Sequence, residues 1–167
     1  MGGFVVVYGN PVSAIGFTTP SHLRLVVASP AVLTLDEKTR WARTLVPRKV
    51  ETDKAVLNIG RAAAIVAGFA RHNISMIGSG MTDEIAEPYR RSLIPGYDEA
   101  RKLALEAGAA GVAMSGAGPS LIGLVDRTAH DPRAVARAMV RGFSLNKTRA
   151  TWFVARPAPG ASIIRSC

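Results

Sequence analysis

The stretch GVAMSGAGPSLIGLVD, residues 111–126, constrains this chain more than any other, because two short apolar runs flank a turn that holds Gly116, Gly118 and Pro119. Apolar runs of this length bounded by glycine and proline read as strands. Small residues in the turn keep side chains off the backbone, so successive N–H groups can converge on an anion, as in glycine-rich phosphate loops. The same glycines suit an ordinary hairpin turn that needs positive φ. A phosphate or carboxylate site and a plain β-hairpin both remain open at this point.

The rest of the chain supplies a context of strands and helices. Phe4–Tyr8 is a β-branched run, Gly9-Asn10-Pro11 a turn, and Leu23–Ala28 a further apolar strand. Thr34 with Glu37 forms a capping box for a helix carrying Trp41 and Leu45 and stopping near Pro47. From Asp53 to about Arg71, Val56, Ile59, Ala63, Val66 and Ala70 recur at helical spacing, which predicts a helix with that row against the core and Lys54, Asn58 and Arg61 away from it. Its alanines and Gly68 predict close approach of a neighbouring helix.

A helix is also predicted over Ile74–Ile85, softened by Gly78 and Gly80, with Ile74, Ile77, Met81 and Ile85 inward. Another runs from Tyr97 to Ala107 and closes at Gly108. Strands follow at 111–115 and 120–126. Asp131-Pro132 then caps a helix through about Arg141, closed by Gly142, and Ala150–Ala155 is a strand, with 161–165 read as either an edge strand or a frayed end.

From about residue 21 this is the β-α-β-β-α-β order of a ferredoxin-like split within the α+β class, with extra helices in the first crossover. Residues 1–30 are left over as strands of another sheet. The reading divides the chain into that remnant and a domain over 31–167.

Composition narrows the function classes. With 167 residues, 48% of them apolar and 20% charged, the chain is long enough for one well-cored domain. No segment approaches the roughly 20 apolar residues of a membrane span, and MGGFVVVYGN lacks the basic start of a secretory signal, so a soluble cytoplasmic protein without a membrane partner is expected. The single cysteine, Cys167, cannot staple a fold, and His22, His72 and His130 are not at metal-ligand spacing, so no metal ligand is assigned. A net charge of +9 suits phosphorylated or carboxylated small molecules as well as nucleic acid, but the arginines are dispersed and aromatics few, so no nucleic-acid partner is expected.

Three further strings stand beside the turn: TRWARTLVP at 39–47, DEIAEPYR at 83–90 and LIPGYDEA at 93–100. Pro88 is expected to end the preceding helix and leave Tyr89 and Arg90 extended, where a guanidinium can meet a carboxylate or phosphate bidentately. Surface pairing of Arg90 with Glu87 or Asp83 is the simpler alternative. Asp83 and Glu84 can hold a metal or a substrate ammonium, or simply be solvated acids. Tyr97 and Asp98 are expected to start the next helix, with Asp98 at its positive end. Trp41 beside Leu45 reads as core.

Together these strings resemble the C-terminal part of the homoserine kinases of the GHMP kinase superfamily (galacto-, homoserine, mevalonate and phosphomevalonate kinases). The resemblance runs from Gly2-Gly3-Phe4 to about Arg127. It is strongest in DEIAEPYR, LIPGYDEA and MSGAGPS; the glycine turn alone indicates the superfamily, and EPYR with IPGYDE narrows it.

The resemblance implies ATP-dependent phosphorylation of the L-homoserine hydroxyl, on the path to threonine. It implies that Arg43 and Arg90 clamp the substrate α-carboxylate, and that Ser115, Gly116, Ala117, Gly118, Pro119 and Ser120 lie against the nucleotide phosphates. In that family a PxxxGLGSSA-type loop and a magnesium-binding acid precede the double glycine that starts this chain, and no such loop occurs here. ATP and Mg²⁺ are therefore expected to be bound mainly by a missing N-terminal half, the isolated chain is expected to be inactive, and no catalytic residue is assigned within it. A homodimer is possible. A GHMP kinase of another small molecule, and a non-catalytic ferredoxin-like module binding an amino acid or RNA, are the alternatives.

Overall fold

Alternation in LRLVVASP buries Val26, Ala28 and Pro30 on one face and Leu23 on the other, and makes β3 (Leu23–Pro30) the organising strand of the molecule. The computed structural model describes residues 1–32 and 44–162. A hairpin of β1 (Phe4–Tyr8) and β2 (Ser13–Phe17) precedes β3; then follow α1 (Thr52–Ala70), α2 (Ile74–Ser79), the single turn α3 (Glu87–Arg90), a 3-10 turn (Arg91–Leu93), α4 (Tyr97–Glu106), β4 (Gly111–Met114), β5 (Leu121–Asp126), α5 (Pro132–Leu145) and β6 (Ala150–Ala155).

The larger sheet has the order β4-β5-β3-β6 with every neighbouring pair antiparallel, which is the ferredoxin-like arrangement expected from the order of elements. Leu25 lies opposite Leu124 on one side and Ala155 on the other. One core packs α4 and α5 against this sheet through Val26, Ala28, Tyr97, Leu121, Val125, Met139 and Phe143. A second joins Leu23 and Leu124 to Phe69, Ile74 and Ile77 of α1 and α2, with Phe4 and Phe17 of the hairpin packed on it. Phe4 stacks on Phe69 with ring centroids 3.9 Å apart.

This corrects the division at residue 30. β3 is central to the four-stranded sheet, because its residues pair on both edges, so among the described residues only the β1–β2 hairpin forms a separate sheet.

The face of α1 is the reverse of the expected one. Val56 and Ile59 are 61% and 69% exposed, whereas Asn58 and Arg61 turn inward to meet the 82–84 segment. Among the described residues, the last third of the helix packs on apolar neighbours, where a Cβ at Gly68 would lie 2.7 Å from the Ile77 backbone nitrogen. That is the close helix approach expected of its small residues.

Three boundaries also differ. The helix begun at Ile74 stops at Ser79, with Gly80 as its cap, since the Asp83 carboxylate collects the next free N–H groups and starts a new turn. Pro88 opens α3 instead of ending a helix and leaving Arg90 extended, because an N–H in the first turn has no intrahelical acceptor and its absence from proline costs nothing there. α5 continues past Gly142, which is buried where a Cβ would sit 2.3 Å from the Ala100 Cα of α4. The strands at 111–114, 121–126 and 150–155, the helix from Tyr97 and the Asp131 cap of α5 lie where the pattern puts them. Arg43, Trp41, the Thr34–Glu37 capping box and Cys167 lie outside the described residues, and 161–162 are not strand.

Candidate functional site

The turn joining β4 to β5 is a hairpin bend and also an anion-compatible one. The Ser115 N–H donates to the Ser120 carbonyl at 2.8 Å and the Gly118 N–H to the Ser115 carbonyl at 3.0 Å, closing the loop. Gly116 and Gly118 take φ of +61° and +80°, in the left-handed region that side chains disfavour. Nothing lies within 4 Å of where a Gly116 Cβ would stand. Among the described residues, the N–H groups of Gly116 and Ala117 have no acceptor, so they are available to phosphate or carboxylate oxygens. Ser120 is tied to β3 by a 2.8 Å hydroxyl contact with Ser29, and Pro119 completes the bend.

A hydrogen-bonded brace gathers DEIAEPYR, LIPGYDEA and MSGAGPS beside that turn. Glu87, at the start of α3, is 9% exposed; its Oε1 accepts from the Tyr97 hydroxyl of α4 and its Oε2 from the Met114 N–H, the last residue of β4, at 3.3 Å. Arg101 of α4 donates to the Val112 carbonyl at 3.4 Å and to the Thr82 hydroxyl at 3.3 Å. Burial and the bond to Glu87 push the Tyr97 hydroxyl well above the ordinary tyrosine range, so it stays a donor. Ile94, just before α4, brings its Cδ1 within 3.1 Å of where a Gly118 Cβ would be. Arg90, half-buried, closes the α3 turn three residues after Glu87.

The acids at 83 and 84 are structural. Asp83 accepts from the Asn58 amide at 2.7 Å and from the N–H groups of Ile85, Ala86 and Glu87 at 2.8, 2.9 and 2.9 Å. Burial pushes its carboxyl up, but the Asn58 bond and these backbone donors outweigh it and hold the group below the usual range. Glu84 pairs with Arg61 at 2.8 Å and donates its N–H to the Asn58 side chain at 2.9 Å. Asp98 sits in the first turn of α4 as expected and meets Arg91 at 3.4 Å.

Asp83 is taken up by the Asn58 amide and backbone N–H groups and Glu84 by the Arg61 guanidinium, a donor set that does not fit magnesium. His22, His72 and His130, remote in sequence, line one cleft with Asp126 and Glu106. Even so, among the described residues no group of three His, Cys, Asp or Glu is placed to hold a metal.

Sequence reasoning missed Asn58, Arg61, Glu87 and Arg101 as parts of this assembly. For Asn58 and Arg61 the available signal was the polar row on α1, assigned there to solvent. For Glu87 the string EPYR carries no signal of its bonds to Tyr97 and Met114.

Residues 65–144, which hold both the brace and the turn, match the family model of the GHMP kinases' C-terminal region. The chain carries a GHMP kinase C-terminal domain. The chain is 41% identical over 162 residues to a homoserine kinase of Pyrobaculum neutrophilum, covering 96% of this chain and 53% of that protein. A solved homoserine kinase from Cytophaga hutchinsonii superposes with a TM-score of 0.84 at 33% identity, over 93% of this chain and 48% of the other. A putative homoserine kinase from Listeria monocytogenes shares the fold, with a TM-score of 0.64 at 19% identity, over 97% of this chain and 52% of the other. The chain thus spans about half the length of the curated relatives it matches. No described helix of this GHMP kinase domain is long and apolar enough to cross a membrane.

Proposed function

We propose that this chain acts as the C-terminal part of a homoserine kinase, which transfers the γ-phosphoryl group of ATP to the side-chain hydroxyl of L-homoserine. The observation that carries the reading is the brace: Glu87 ties the turn bearing Arg90 to the strand that feeds Ser115–Ser120, so one carboxylate holds the backbone of that turn to the strand leading into the glycine bend. Arg90, with Arg43, grips the α-carboxylate. Two guanidinium forks neutralise and orient one carboxylate, presenting the hydroxyl toward the nucleotide.

The glycine turn fits a phosphate because the N–H groups of Gly116 and Ala117 are free to donate; bound ATP supplies the phosphoryl group. Among the described residues no donor set is placed to hold magnesium, and the reading assigns metal binding to a further part of the kinase. The same holds for most of the nucleotide contact, since no glycine-serine loop is present in the sequence.

Two assays test this. The chain alone, supplied with ATP and homoserine, should release no ADP above background, and adding a polypeptide that covers the first half of a relative should restore release. Turnover by the chain alone removes the two-part reading. In the active form, Arg43→Ala and Arg90→Ala should each weaken homoserine binding by about 2–4 kcal/mol, roughly 30- to 700-fold, with ATP binding preserved. Unchanged homoserine affinity in both removes the clamp.

A further inference from the structure

We propose that Glu87 is a positioning residue for homoserine: its carboxylate sets where Arg90 stands relative to the glycine turn. The inference rests on Arg90 being half of the carboxylate clamp. Glu87 is the one carboxylate buried to nine-tenths among the described residues. A buried charge is a poor stabiliser compared with an apolar side chain of similar volume, so its use here is better explained by the geometry it imposes.

That geometry is directional. β4 is an edge strand, and Glu87 accepts the Met114 N–H at its very end, one residue before the bend. The other oxygen is held by Tyr97, 3% exposed at the head of α4. Glu87 and Arg90 share a single helical turn, so fixing the first at two points fixes the backbone that carries the second. Arg101 clips the same two segments together through Thr82 and Val112.

The test is steady-state kinetics on the active kinase that contains this chain, with Tyr97→Phe and Glu87→Gln made singly and on top of Arg90→Ala. Tyr97→Phe deletes one hydroxyl and keeps the buried ring, so it reports even if Glu87→Gln melts early. Each should raise the KM for homoserine on the order of tenfold or more, since a small misplacement of a binding group is costly, while the KM for ATP moves less than about twofold. With Arg90 already replaced by alanine, neither should raise it further.

Equal effects on both substrates, no effect, or an increase that persists in the Arg90→Ala background each overturns the inference and leaves the clamp intact. An unchanged homoserine KM in Arg90→Ala alone instead overturns the clamp, and the positioning role with it.

Discussion

Asp83 shows how one carboxylate can replace several residues of regular structure. It receives the Asn58 amide and three successive N–H groups, and so caps a turn too short to stabilise itself. Its folded-state pKa is held below the ordinary 3.8, so its contribution to stability is present above that value and is lost as the pH falls through the lower folded value. Denaturant unfolding at pH 7 and pH 3 should therefore show a larger acid loss in the parent chain than in Asp83→Asn. Equal losses would show that Asp83 adds nothing to acid sensitivity. At the same scale, Gly116 and Gly118 were legible in the sequence because positive φ leaves a residue signature. Glu87 was harder to read: nothing in the string EPYR distinguishes a glutamate that bonds across space to Tyr97 and Met114 from one that faces water.

Among the elements, α1 is where periodicity misled. The 3.6-residue row of Val56, Ile59 and Ala63 is real, but periodicity reports which residues share a face and leaves open which face is inward. The polar row won the interior because Asn58 and Arg61 find partners in Asp83 and Glu84, a contact made across more than twenty residues of sequence. Ile59→Ala should therefore change the unfolding free energy of this chain by no more than about 0.5 kcal/mol. Ile77→Ala, at 1% exposure under Gly68, should cost about 2–5 kcal/mol. Denaturant titration of the two variants checks the assignment, and comparable losses would return the apolar row to the core. The strands and the helices α4 and α5 were legible because turn residues punctuate them. Helix ends at Ser79 and Leu145 were not, since glycine serves equally as a terminator and as the contact point of two helices.

For the whole molecule, the order of strands in the sheet was readable from the order of elements, with β3 as its first strand, but the boundary drawn at residue 30 set that same strand apart, because an apolar strand looks the same at a sheet's centre as in a neighbouring sheet. Its central position governs how the molecule is made. Leu25 waits for Leu124, and Val27 for Ile122 and Phe153, so the strand emerges from the ribosome about a hundred residues ahead of the partners that cover its edges. Nascent chains arrested at residue 118 should leave Leu23–Pro30 open to added protease, whereas chains extended well past Asp126 should protect it; early protection would mean some other segment shelters the strand. During synthesis the molecule thus carries a bare apolar edge for most of its translation time, the kind of surface that recruits a chaperone.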